Sequence, residues 1–220
     1  MKREQPDSKL HIAHDDETEK LRDWWKRNGT GIIAGVLIGI GSVGGIQGWR
    51  IYQDSQGEKA SALYERMLGA AGNQETDSAR STALTLSADH SDSGYADIAR
   101  LMLARLALES GDSEGAKRAL NELLESTSDP VMRQVARVRL AVIALKDREP
   151  EKIRDLAKAE AGEGFTSHFQ ELLGDALVAN GDLDGAQQAY QEALQGVTPD
   201  SQAGQLITAK LNMTRKGDDG

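Results

Sequence analysis

Hydrophobic positions along this chain follow two different patterns. From Asn28 to Trp49, NGTGIIAGVLIGIGSVGGIQGW, 22 consecutive residues carry no charge, with Lys26 and Arg27 before the run and Arg50 directly after it. A hydrocarbon core is about 30 Å thick and a helix rises about 1.5 Å per residue, so a run of this length predicts a membrane-spanning helix. Beyond Arg50 the apolar residues recur at helical spacing with charges between them, as in Ile98, Leu101, Met102, Arg105 and Leu108. Nothing alternates as a strand does. The pattern predicts helices over 52–71, running on from the membrane, then 77–89, 95–109, 113–125, 131–145, 150–161, 166–180, 183–195 and 201–214. Turns are expected at Asn73, at Asp92 to Gly94 and at Gly162 to Gly164.

Eight of the 22 uncharged residues are glycine, which weakens the run as a hydrophobe. In lipid the backbone must satisfy its own hydrogen bonds, so a helix is still the spanning form. Trp24, Trp25, Trp49 and Tyr52 stand at the two ends, where amphipathic rings anchor at headgroup level. The stretch Gly39-Ile40-Gly41-Ser42-Val43-Gly44 matches G-x-G-x-x-G, but a dinucleotide site needs a strand before it and a βαβ unit around it, and neither is predicted. A cleaved secretory signal fits less well than an uncleaved anchor: the apolar core is long and Gly48-Trp49-Arg50 is a poor cleavage site. Gly31, Gly35 and Gly39 repeat at a spacing of four, a small-residue ridge that lets another helix approach closely. Glycine is also common in membrane helices generally, so the spacing leaves that contact open.

The second pattern is a repeat. Gly111-Asp112 and Gly181-Asp182 each follow one amphipathic helix and open another. With Thr76-Asp77 and Lys146-Asp147 they place four aspartates 35 residues apart. A period of about 34 is the length of a tetratricopeptide repeat, a helix–turn–helix unit. Leu173-Gly174, Gly181-Asp182, Ala186, Tyr190, Ala193 and Pro199 resemble that repeat along its whole length; Leu103-Ala104, Gly111-Asp112, Ala116, Leu120 and Asp129-Pro130 are a second match. Gly174, Ala186 and Ala193 are then small residues that let paired helices pack. Gly111 and Gly181 suit a left-handed turn at a helix end, and Asp112 and Asp182 can cap the next helix. The last helix, with Leu206, Ile207 and Leu211, would close the open end of the stack.

Charge narrows the partners. Residues 50–220 hold 19 Lys/Arg and 28 Asp/Glu, a net charge of −9, whereas the segment before the run is neutral with seven of each. An acidic domain lacks the basic footprint of nucleic-acid binding and does not favour anionic headgroups. Lys9, Lys20, Arg22, Lys26 and Arg27 precede the run, against Arg50, Lys59 and Arg66 after it. That bias predicts a cytoplasmic N-terminus and a large C-terminal part outside the cytoplasm. The absence of cysteine suits an oxidising compartment without deciding it.

Candidate chemistry is sparse. His11 and His14 form H-x-x-H near Asp15, Asp16 and Glu17, but a polar tail is a poor metal site. His90 and His168 read as surface or packed residues. Neither a catalytic constellation nor a cofactor motif is found, so an enzyme is not expected. Stacked helix pairs instead create an extended surface that grips peptides or proteins. Arg100, Arg137 and Gln170, exposed positions on the first helix of a pair, are the leading candidates to line it.

The order of motifs is itself informative. Glu19-Lys20-Leu21-Arg22-Asp23-Trp24-Trp25-Lys26-Arg27-Asn28-Gly29 leads into Val36-Leu37-Ile38-Gly39 and the exit Gly48-Trp49-Arg50-Ile51-Tyr52. Then come Ala60-Ser61-Ala62-Leu63-Tyr64 and Leu172-Leu173-Gly174-Asp175-Ala176-Leu177. This resembles the YfgM family of ancillary Sec translocon subunits over nearly the whole chain, the segment before Glu19 excepted. The resemblance implies a single-pass protein of the bacterial inner membrane with a periplasmic tetratricopeptide-like domain. It also implies partners: the SecYEG channel, a PpiD-like periplasmic chaperone, and unfolded exported proteins handed from channel to chaperone. No catalytic residue is implied. The expected divisions are a cytoplasmic tail 1–27, a span 28–49, a juxtamembrane helix 50–72, a repeat domain 73–215 and a frayed end 216–220. An envelope scaffold for cell-wall or division complexes is the alternative use of the same surface, and a periplasmic enzyme or metal protein is the third.

Overall fold

The computed structural model describes residues 12–158 and 165–216. These form α1 (Ile12–Gly72), α2 (Thr76–Asp89), α3 (Gly94–Glu109), α4 (Ser113–Ser126), α5 (Pro130–Lys146), α6 (Pro150–Lys158), α7 (Thr166–Ala179), α8 (Leu183–Gln195) and α9 (Gln202–Lys216), with no strand among the described residues. The fold is all-α. From α2 onward the helices begin and end within two residues of the expected positions, apart from the end of α6. There residues 159–161, like the turn expected at Gly162 to Gly164, lie outside the described residues. The first element differs most. The span expected at 28–49 and the helix expected to run on from it at 52–71 form one continuous element, which also takes in residues 12–27 of the polar tail. No proline interrupts 12–72, and the helix runs through Asn28-Gly29 at the edge of the run without a break.

The chain divides into two units, Met1–Gln56 and Gly57–Gly220. In the first, α1 contains the one helix among the described residues that is long and apolar enough to cross a membrane. Leu37, Ile38 and Ile40 are each about two-thirds exposed, at 64%, 69% and 67%. A helix apolar on all sides and unburied matches lipid rather than water. The G-x-G-x-x-G stretch lies in the middle of this helix, away from any strand.

In the second unit the end of α1 belongs to the array. Ala60 and Met67 are fully buried and join Ala79, Leu86, Leu106 and Leu120 in one core; a second core gathers Phe169, Leu173, Tyr190 and Ile207. The two meet on α5, where Ala136 and Ile143 belong to the first core, Ala141 and Ala144 to the second. The two units divide at Gln56/Gly57, within the 50–72 segment expected as a juxtamembrane helix leading into the repeats. Residues 57–72 form the first helix of the first pair rather than only a lead-in.

The pairs α1/α2, α3/α4, α5/α6 and α7/α8 share one turn. Gln74, Gly111, Arg148 and Gly181 all have positive φ, at 64°, 81°, 60° and 84°. The N–H of each donates to the carbonyl three residues back, at 3.0–3.2 Å, and the next N–H donates five residues back, at 2.8–3.0 Å. This is the Schellman arrangement that satisfies the last carbonyls of a helix. The structural period is thus read at 74, 111, 148 and 181, not at the evenly spaced aspartates. Asp112 and Asp182 are N-caps, accepting from Gly115 N–H at 2.7 Å and Gly185 N–H at 2.9 Å. Asp147 instead sits at the C-cap of α5, and Asp77 lies within the first turn of α2. The residues equivalent to the capping aspartates are Glu75 and Glu149, so the even spacing of four aspartates marks two roles, not one.

A side chain in the left-handed region costs roughly 1–2 kcal/mol. Gly111→Ala is therefore expected to destabilise the protein by about 1 kcal/mol. Arg148→Gly should be neutral or stabilising by up to about 1 kcal/mol, because the relief of strain is partly offset by glycine's greater chain entropy. Urea denaturation followed by helicity distinguishes the two signs.

Candidate functional site

The three first-helix residues expected to line a binding surface meet three different fates. Arg100 is not exposed. Its side chain is 8% exposed and its Nη1 lies 3.3 Å from Asp97 Oδ1, one turn earlier on α3. Its Nη2 donates to the Ser87 carbonyl at 3.3 Å, while the Thr127 hydroxyl donates to Asp97 Oδ2 at 2.6 Å. A buried charge persists only when paired and hydrogen-bonded; here it ties α2, α3 and the α4–α5 loop together. The Asp97-x-x-Arg100 spacing could have signalled the pair, since residues three apart share a helix face. Arg100 is removed from the candidate surface. Arg137 on α5 is half-buried and has an interaction of its own. Gln170 on α7 is half-buried and faces a groove.

That groove lies between the second helices α6 and α8, with α7 as its floor. One part, of about 350 Å³, has Arg154 and Lys158 of α6 on one wall, Leu173 and Leu177 beneath, and Gln188 and Glu192 of α8 opposite. A second part, of about 460 Å³, continues past Ser167 to Gln195 and Gly196 and shares Thr166, Gln170 and Glu192 with the first. On α7, positions 166, 170, 173 and 177 fall on one helical face; on α8, positions 185, 188, 192 and 195 do the same. The side-chain carbonyl of Gln170 is enclosed and accepts no hydrogen bond. Sequence reasoning selected Gln170 but missed Gln188 and Gln195, whose i, i+7 spacing around Glu192 was a usable signal.

The small residues of the last pair have a packing role. Ala186 and Ala193 are fully buried and Tyr190 is 2% exposed. A Cβ at Gly174 would stand 2.4 Å from Tyr190 Cε1. In the earlier pair Ala116 is fully buried too. Tyr190 donates to Asp175 Oδ1 at 2.7 Å, and Lys210 of α9 reaches Asp175 and Glu171, both at 2.7 Å. Burial, and next the Asp175 carboxylate, push the Tyr190 phenol well above its ordinary value. For Lys210 burial pulls downward, but the two carboxylates outweigh it and the ammonium is held above its usual range. Lys117 joins Asp147 at 2.8 Å and Glu114 at 3.0 Å. The hydrogen bond to Lys117 is the main cause that holds the Asp147 carboxyl below its ordinary value. This link ties the start of α4 to the end of α5 across two pairs.

Other sequence candidates lie apart from the groove. A Cβ built on Gly31, Gly35 or Gly39 meets no heavy atom of the described residues within 4 Å. His168 is surface-exposed, 3.5 Å from Glu171. His11 lies outside the described residues, and the His14 side chain likewise. Among the described residues no group of three or more His, Cys, Asp or Glu is placed to hold a metal ion.

The chain matches the family model described as a tetratricopeptide repeat-like domain over residues 22–216. Among curated proteins it is 28% identical to the ancillary SecYEG translocon subunit of Haemophilus influenzae, over 91% of this chain and 97% of that protein. It is 26% identical to the Escherichia coli protein of the same name, over 92% and 97%, and 28% identical to that of Aggregatibacter actinomycetemcomitans, over 91% and 97%. No solved structure matches it significantly.

Proposed function

Since the chain belongs to the tetratricopeptide repeat-like family, in the YfgM group that its motifs resemble, we propose that it is a membrane-anchored accessory subunit of a bacterial Sec translocon. What carries the reading is that the matched family region, 22–216, takes in the apolar helix and the helical array together. The apolar helix and the helical array thus fall within one family region. The apolar helix crosses the inner membrane once, with the N-terminus in the cytoplasm as the Lys/Arg bias favours. The array then stands in the periplasm, beside the SecYEG channel. There it binds unfolded exported proteins and passes them to a PpiD-like chaperone. The open ridge at Gly31, Gly35 and Gly39 is the proposed contact of the span with a neighbouring membrane helix.

The protein does this by binding, not by covalent chemistry. Helix pairs held rigid by two cores and by buried polar ties present a fixed surface, which lowers the entropy lost on association. In mild detergent, the tagged full-length protein is expected to co-purify with the SecY subunit, and Gly35→Leu to reduce that yield. Recovery of cell-wall or division proteins without any channel subunit would refute the reading in favour of an envelope scaffold. Orientation has its own test: protease added to spheroplasts should digest the array, and full protection would place it in the cytoplasm.

A further inference from the structure

We propose that the α6–α7–α8 groove is a sequence-tolerant site for an extended polypeptide segment, recognised chiefly through its main-chain amides. The proposal rests on the client-binding reading above and gives it a location away from the first-helix surface expected from sequence. Three observations carry it. The groove has two adjoining parts, which share Thr166, Gln170 and Glu192. Its polar lining is rich in carboxamides: Gln170 on the floor, Gln188 and Gln195 on the α8 wall. A carboxamide offers both an N–H donor and a carbonyl acceptor, the same pair that each peptide unit presents, and so reads no side chain. Finally, the Gln170 carbonyl is enclosed without a donor. A buried acceptor left unpaired is unfavourable; a turn of the half-buried Gln170 side chain toward the groove it lines would bring that carbonyl within reach of the N–H of an extended strand lying over α7.

The charges on the groove agree with a main-chain ligand. Arg154 and Lys158 on the α6 wall are already answered on their own helix by Glu151 and Asp155. Glu192 stands on the opposite wall. The walls thus offer both signs and no net demand for an acidic or basic segment. The apolar floor at Leu173 and Leu177 takes whichever small or aliphatic side chains point inward. A folded helix would not suit the site, because its main-chain N–H groups are spent internally. A channel that delivers chain before it folds supplies exposed main chain of the required kind.

The test uses full-length protein in detergent micelles and a fluorescein-labelled, neutral 20-residue peptide of alanine, serine and valine, followed by anisotropy. Binding is expected. It should weaken about tenfold or more when alternate main-chain nitrogens are methylated, since each methyl removes a donor. Gln170→Leu should weaken the parent peptide by a similar factor while leaving helicity and melting unchanged or improved. If that variant misfolds, Gln188→Ala with Gln195→Ala, both exposed on α8, takes its place. Equal affinity for the methylated and parent peptides, no binding of the parent, or affinity unchanged by the variants would overturn the proposal. Co-purification of the same variants with the channel is scored in parallel. Its persistence alongside lost peptide binding separates failure of the groove from failure of the translocon reading.

Discussion

Replacing Arg100 by methionine is expected to destabilise the array by about 3–5 kcal/mol, the usual result of removing one partner from a buried ion pair. The Asp97 side chain is only 10% exposed. Without the guanidinium, its carboxylate keeps the Thr127 hydroxyl but loses its counter-charge. The Ser87 carbonyl loses its donor in the same step. Because the pair fastens α2 and the α4–α5 loop to α3, the loss should reduce cooperativity in the first core before the second. A double-mutant cycle with Asp97→Ala identifies the cause. If the penalty is an uncompensated buried charge, the double variant recovers part of the stability lost by Arg100→Met. Urea denaturation of the full-length protein reads both. A change within about 1 kcal/mol for Arg100→Met would mean that the guanidinium lies in water and would return Arg100 to the candidate surface.

Gly174→Ala is the second large effect. The added methyl would lie 2.4, 2.6 and 2.8 Å from three carbons of the Tyr190 ring. That ring cannot move aside freely, because it is buried and its hydroxyl is held by Asp175, which Lys210 holds in turn. Overpacking of this kind costs about 1–3 kcal/mol, with melting expected to fall by roughly 2–4 °C per kcal/mol for a domain of this size. The earlier pair shows what relieves it: alanine stands at position 104 where its second helix carries Leu120, whereas glycine stands at 174 opposite Tyr190. Gly174→Ala combined with Tyr190→Leu is therefore expected to be more stable than Gly174→Ala alone. Equal melting of the wild type and Gly174→Ala would contradict the close approach.

Position by position, the helices from α2 onward were legible because local signals and tertiary packing agree. Asp112 and Asp182 cap, Pro130 opens α5, and Gly111 and Gly181 stop their helices where only a left-handed residue fits. The degenerate turns were not legible, since Gln74 and Arg148 take positive φ without glycine. There the surrounding pairs impose a conformation that local preference opposes, and an even aspartate spacing suggested a register that the backbone does not follow. The extension of α1 through residues 12–27 was missed for a related reason: a change in polarity at residue 28 alters the solvent of a helix, not its hydrogen bonding. Gln170, expected as an exposed first-helix position, is instead half-buried against the α6–α8 groove. Arg100 was misplaced because charge predicts exposure unless a partner on the same face is sought. The groove itself depends on how α6 and α8 are spaced across α7, which no single helix encodes.

The central claim is that the helical array binds translocating polypeptide beside the channel. It is tested most directly by placing a photo-crosslinking amino acid at Gln188, and separately at exposed Leu84 on α2, in membranes carrying an arrested export intermediate. The account predicts that Gln188 crosslinks to the arrested chain, and that Leu84 does so far less. Crosslinks from neither position to the arrested chain, or equal yields from both, would contradict it.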